Sequence, residues 1–139
     1  MKVFREEIRF STGGDGTVRD ITGKVASILE NSGISEGQVN VFVPGSTGAI
    51  TTVEYEPGLI KDLPEFFEKI IPSEVSYHHD KTWGDGNGYA HLRASLVGPS
   101  ITVPFSEGKL LLGTWQQIVF LDFDNRARNR TVHVSVAGE

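Results

Sequence analysis

The chain has 139 residues, 38% of them hydrophobic and 22% charged, which suits one domain around a single core. A net charge of −5 gives nucleic acid and anionic membrane no electrostatic attraction, so neither is expected as a partner. The absence of cysteine excludes disulfides, a thiol nucleophile and any thiolate metal site.

The opening MKVFREEIRF carries charge instead of the apolar stretch of a signal peptide, and no run approaches membrane-spanning length. A cytoplasmic protein is expected. Residues 3–10 alternate, with Phe4, Ile8 and Phe10 on one side, and predict a strand buried on one face. Gly13 to Gly16 make a turn. Thr22 is the expected cap of a helix over 23–32, with Val25, Ile28 and Leu29 as its apolar stripe and Gly33 as a left-handed stop. Val39–Val43 and Ile50–Tyr55 read as strands joined by the loop Gly45-Ser46-Thr47-Gly48.

A second helix is predicted from Pro57, carrying Leu59, Ile60, Leu63, Phe66, Phe67, Ile70 and Ile71 at helical spacing and ending at Pro72. Pro64 predicts a kink or a fresh start within it, and Phe66 and Phe67 are both expected in the core. Beyond a polar loop the chain reads as strands: Tyr89–Val97, Ile101–Pro104, Leu110–Leu112, Thr114–Asp122 and Arg130–Ala137, with a hairpin turn at Glu107-Gly108. The class is therefore α+β: a curved, mainly antiparallel sheet or sandwich with two helical segments packed on one side, in a single domain spanning 1–139. Trp115, Phe120 and Phe123 load both faces of one late strand, more than a solvent-exposed antiparallel sheet normally carries, which is consistent with a subunit contact.

Chemistry concentrates in YHHDKTWGDGNGYAHLR, residues 77–93, which holds three of the four histidines and two aspartates around a glycine-rich turn. His79 and His91 with Asp80 or Asp85 are the donor types of a zinc-like site with positions left open. Taken as a strand, 89–97 would put His91 on one face with Tyr89 and Arg93. The run from Asp80 is no EF-hand, because its twelfth position is His91 instead of glutamate. Lys81 and Arg93 flank the turn as phosphate partners. Ser46 and Thr47 offer hydroxyls and backbone N–H groups to an oxyanion, although no GK[ST] follows. Glu54, on the next strand, is a candidate acid–base carboxylate. The crowded Arg126, Arg128 and Arg130, just after Asp122 and Asp124, read as a solvated face or subunit contact before an anion site.

The segments VFVPGSTGAITTVE (41–54), YHHDKTWGDGNGYAHLRASLVGPSITVP (77–104) and LLGTWQQIVFLDFDNRARNRTVHVSVAGE (111–139) together resemble the YjbQ-like family over nearly the whole chain. The resemblance implies an α+β fold rich in antiparallel sheet, a homotrimer, and a secondary thiamine-phosphate synthase activity. That reaction joins a pyrimidine methyl diphosphate to a thiazole phosphate and releases pyrophosphate, commonly with Mg²⁺. It also implies a polar site built from a His-Thr-Thr segment, an Asn-Glu pair and the later histidines. Thr47, Glu54, His79, Asp80, Asn87 and His91 match that pattern; Gly45, Ser46 and Val53 depart from it, and Tyr89 stands where some relatives carry histidine. The expected roles are then His79, His91 and Glu54 in catalysis, and Ser46, Thr47, Lys81, Asn87 and Arg93 on substrate. His79, Asp80 and His91 would bind a divalent metal, Mg or Zn. The alternative is a non-catalytic trimer that binds a metal or a small phosphate-bearing anion.

Overall fold

The computed structural model describes residues 1–139. Its elements in chain order are β1 (Lys2–Thr12), β2 (Thr17–Asp20), α1 (Thr22–Ser32), β3 (Gly37–Phe42), β4 (Gly48–Glu54), α2 (Pro57–Ile70), α3 (His78–Trp83), α4 (Gly88–Val97), β5 (Ser100–Ser106), β6 (Lys109–Leu110), β7 (Gln116–Asp122) and β8 (Arg128–Gly138). Five strands pair in the order β1-β8-β3-β5-β6 and three in the order β2-β7-β4, every pair antiparallel. The α+β class and curled antiparallel sheet are as expected, with four helices in place of two.

Alternation along β7 explains the layers. Ile118 and Phe120 join Ile50, Ile8 and the valines of β3 and β8 in a core between the two sheets, which α1 completes through Val25, Ile28 and Leu29. Val119 and Leu121 point the other way. With Ala49 and Phe123 they pack on Phe67 of α2 and on Tyr89, Ala90 and Ala94 of α4. The small sheet is therefore covered on both faces within one chain. This corrects the reading of residues 115–123 as a subunit contact: Phe120 and Phe123 are buried internally, and Trp115 lies in the turn before β7, 73% exposed.

Several local expectations are corrected. Thr22 is the first residue of α1 instead of its cap. The Asp20 carboxylate accepts its N–H at 3.0 Å, and the Thr22 hydroxyl accepts the Ile118 N–H at 2.8 Å, tying α1 to β7. Gly33 does close α1 in a left-handed conformation. Pro64 neither breaks nor restarts α2, which runs through it; Glu56 provides the start by accepting from Gly58 and Leu59 N–H. Phe67 is buried but Phe66 is exposed, because only one stripe of α2 faces the sheet.

The largest correction falls on 89–97, which is the helix α4. Its buried residues, Tyr89, Ala90, Arg93 and Ala94, recur at helical spacing. Ala90, Leu92, Ala94 and Leu96 are strong helix formers, and Val97 is the only β-branched residue in the stretch. Polar Ser and Arg interleaved with apolar residues imitate a two-residue period over so short a run.

Candidate functional site

Helix α3 starts at Tyr77 through a reciprocal cap: Asp80 Oδ2 accepts the Tyr77 N–H at 3.0 Å. Asp80 Oδ1 accepts the Gly88 N–H at 2.9 Å, so one carboxylate pins the starts of both α3 and α4. Those two backbone bonds, the Tyr77 one larger, hold its carboxyl below the usual range. Gly88 permits the approach, since a Cβ there would stand 2.9 Å from both Asp80 Oδ1 and Tyr77 Cβ. Between the helices, Asp85 Oδ1 accepts the Asn87 N–H, while Asn125 donates its Nδ2 to the Asp85 carbonyl at 2.7 Å and its N–H to Asn87 Oδ1 at 3.0 Å. The glycine-rich turn is clamped by the segment that follows β7.

This scaffold lays the rings of His79 and His91 against each other, centroids 4.3 Å apart and tilted by 39°. Burial lowers the His91 pKa, and the neighbouring His79 lowers it further against the opposing pull of Asp85 and Asp124. His79 Nδ1 is buried and has no hydrogen-bond partner. Asp85 Oδ1 lies 3.8 Å from it, too far for a hydrogen bond. That separation is close to the about 3.4 Å edge between two ligands of one tetrahedral zinc. Donor atoms of His79, Asp80 and Asp85 lie within 4.8 Å of one another. The donor chemistry fits a divalent ion, with His79 Nδ1 unpartnered, Asp85 holding a single N–H bond from Asn87 and Asp80 engaged by two N–H groups.

Behind the imidazoles lies a buried polar seam, of which only Thr47 and Asn87 stand among the sequence-derived candidates. Asp124 Oδ2 accepts from Thr47 Oγ1 at 3.0 Å, Asn87 Nδ2 at 3.3 Å and Arg128 Nε at 3.1 Å. Burial raises its pKa, but these bonds outweigh that effect and leave the carboxyl below its ordinary range. Arg130 grips Asp122 through two bonds, at 3.0 and 2.7 Å, and donates to Thr47 Oγ1 at 2.9 Å. Thr12 donates to the same Asp122. Asp122, Arg130 and Thr47 therefore belong to the interior, and Arg130 is no part of a solvated face. The available signal was Asp122-Phe123-Asp124 directly after the apolar run Ile118–Leu121.

The remaining candidates separate. Ser46 and Lys81 are exposed. Arg93 turns away from His91, stacks on Tyr89, and donates to the Ile71 carbonyl and to Glu68 Oε2 at 2.9 Å, so it anchors α4 to the end of α2. In a helix, residues four apart share a face and those two apart do not, which overturns the shared face expected of Tyr89, His91 and Arg93. Glu54 closes β4 opposite Gln116, six residues and about 20 Å of strand beyond Gly48. There it borders a groove with Tyr55, Thr114, Trp115 and Gln117. The expected meeting of Glu54 with the two imidazoles does not occur. The largest groove, about 790 Å³, lies between α1 and residues 107–113 and contains none of the expected residues.

Comparison with known proteins agrees with this architecture. The sequence profile described as UPF0047 protein YjbQ-like matches residues 6–139. A UPF0047 protein of Methanothermobacter thermautotrophicus is 42% identical over 139 residues, covering 100% of this chain and 95% of its own. YugU of Bacillus subtilis, another UPF0047 protein, is 37% identical over 86% of this chain and 88% of its own. The crystal structure of a YbjQ-like protein of unknown function from Sulfolobus solfataricus superposes with a TM-score of 0.94 at 36% identity, covering 99% of each chain.

Proposed function

Because the chain belongs to the UPF0047 YjbQ-like family, we propose that it is a cytoplasmic homotrimer binding a divalent metal and a small phosphate-bearing molecule at the His79–His91 face. The observation that carries this reading is the buried, unpartnered Nδ1 of His79 beside Asp85. Such an orphan costs about 1–3 kcal/mol unless something completes it. Here His79 and Asp85 would hold the ion, which when bound supplies Lewis acidity and charge for a phosphate oxygen. His91, biased neutral by burial, is available to accept a proton at the edge of the site. No helix is long and apolar enough to cross a membrane.

Elemental analysis of protein purified without chelator tests the metal. About one transition-metal ion per chain is expected, lost in His79→Ala and in Asp85→Ala and retained in Glu54→Gln. Protein without metal, or metal retained in both ligand variants, sinks the reading. Light scattering addresses the trimer, which a monomeric mass would refute.

The second reading is the thiamine-phosphate synthase reaction implied by the resemblance. It is favoured by Asp85 and Asp124, two carboxylates close enough to His91 to act on its charge. Incubation with the pyrimidine diphosphate, the thiazole phosphate and Mg²⁺ should then form thiamine phosphate. Yield no greater than that of a His91→Ala control removes it.

A further inference from the structure

We infer that the loop Gly45-Ser46-Thr47, backed by the free edge of Arg130, is a subsite for a tetrahedral oxyanion beside the imidazole pair. The inference rests on the anion-binding half of the function proposed above and names the groups that would hold the anion.

Arg130 is the central observation. Its side chain is 9% exposed, and it spends Nε and Nη2 on Asp122 and Thr47. Nη1 donates to nothing within the chain. A Cβ built on Gly45 would meet that nitrogen at 3.6 Å, so Nη1 is aimed at the space where a side chain at 45 would begin. Gly45 has φ +105, a conformation unfavourable to other residues, and this keeps the space open. The backbone N–H groups of Gly45, Ser46 and Thr47 likewise have no acceptor in the chain, although neighbouring Val43 N–H bonds the Pro99 carbonyl. Three successive N–H groups without acceptors, on the loop that borders the free Nη1 of Arg130, are donors available to a ligand.

Charge does not oppose occupation. Asp122 is neutralised by the two-pronged Arg130 bond and Asp124 by Arg128, with Thr47 and Asn87 taking further lone pairs. Arg128 Nε binds the same Asp124 oxygen as Thr47 Oγ1, which puts a second guanidinium one hydrogen bond from the loop. Gly45 and Ser46 are exposed, so a solute reaches the site from water. Asp124 also accepts from Asn87, the residue that opens α4, so the loop shares a carboxylate with the start of the helix that carries His91.

The probe is inorganic phosphate, added to chelator-treated protein while backbone amide shifts are followed by NMR. Saturable shifts are expected at Gly45, Ser46 and Thr47. Ser46→Glu, at an exposed position that spares the fold, should weaken binding about tenfold or more by like-charge repulsion. Arg130→Lys, which keeps the charge but loses the fork, should abolish the saturable shifts. Glu54→Gln should bind as the native chain does. A His79→Ala, His91→Ala double variant should retain phosphate, which separates this subsite from the metal. Absence of saturation at the three amides, unchanged affinity in Ser46→Glu, or phosphate binding only after metal loading would each overturn the assignment. Loss of metal binding alone would leave it standing.

Discussion

The two ends of the β4–β7 ladder share one sheet and one register but have opposite character. At the Gly48–Asp122 end, Asp122, Asp124, Arg130, Thr47 and Asn87 are buried and bonded to one another. At the Glu54–Gln116 end the side chains are exposed, and Gln116 reaches only Thr52 and the Gly113 N–H. The first end is where the loops after β1, β3 and β7 and the start of α4 all arrive. Asp15 and Gly16 N–H groups bond the Asp124 and Asp122 carbonyls there, and a Cβ on Gly14 would collide with the Asp124 carbonyl at 2.5 Å. Polar groups acquire chemical potential where converging backbone removes water and a network holds them. A carboxylate at the open end keeps its solvent.

Two substitutions of comparable cost test the contrast most strongly. Arg130→Gln leaves Asp122 buried and half-paired and should lose about 3–5 kcal/mol in urea unfolding. Phe120→Ala, in the apolar core one step inward, should also lose about 3–5 kcal/mol, through a cavity. The two differ in rescue. Replacing Asp122 and Arg130 together by apolar residues should recover much of the first loss, because the penalty lies in the unpaired charge. Failure of that rescue would mean that the seam is held by packing alone.

Gly88→Ala comes next. Its Cβ would press on Asp80 and Tyr77, prise α3 from α4, and cost about 1–3 kcal/mol while weakening metal binding. Unchanged metal content would show that the helix pair does not set the imidazole geometry.

A smaller effect is expected with pH. The folded chain holds His91 below its ordinary value of 6.5, so the unfolded chain takes up a proton first as pH falls. The associated stability is fully present above about pH 7 and is lost as the pH drops through about 6.5 towards the lower folded value. His91→Asn should flatten that limb of a urea-midpoint profile; an unaltered slope would assign it to another group. At the far end of the ladder, Glu54→Gln should stay within about 0.5 kcal/mol of the native chain. A larger loss there would erase the distinction between the two ends.

How much was legible is clearest in particular segments. The strands at β1, β3, β4, β5 and β8, the helix ended by Gly33 and the turn at Glu107-Gly108 follow from alternation, spacing and glycine placement. These depend on contacts between near neighbours or on one apolar face, which a linear pattern records. His79, His91, Asn87 and Thr47 were recognisable as residue types, and all four connect, Thr47 and Asn87 through Asp124 and the two imidazoles through their ring contact. Helix α4 was not legible, since its Tyr89 and Arg93 face is chosen by packing on Ala49, Val119 and the end of α2. The same packing sends Arg93 away from His91.

Composition and local pattern alone therefore determined the class, most element boundaries and the chemical vocabulary of the face around residue 79. Tertiary structure decided which words stand together: it set Glu54 apart by the length of a strand, tied Asp80 to two helix starts beside His79 and Asp85, and drew Asp122, Asp124 and Arg130 inside. The physical reason is that a buried charge persists only with partners drawn from several distant segments. No single stretch of sequence carries that condition.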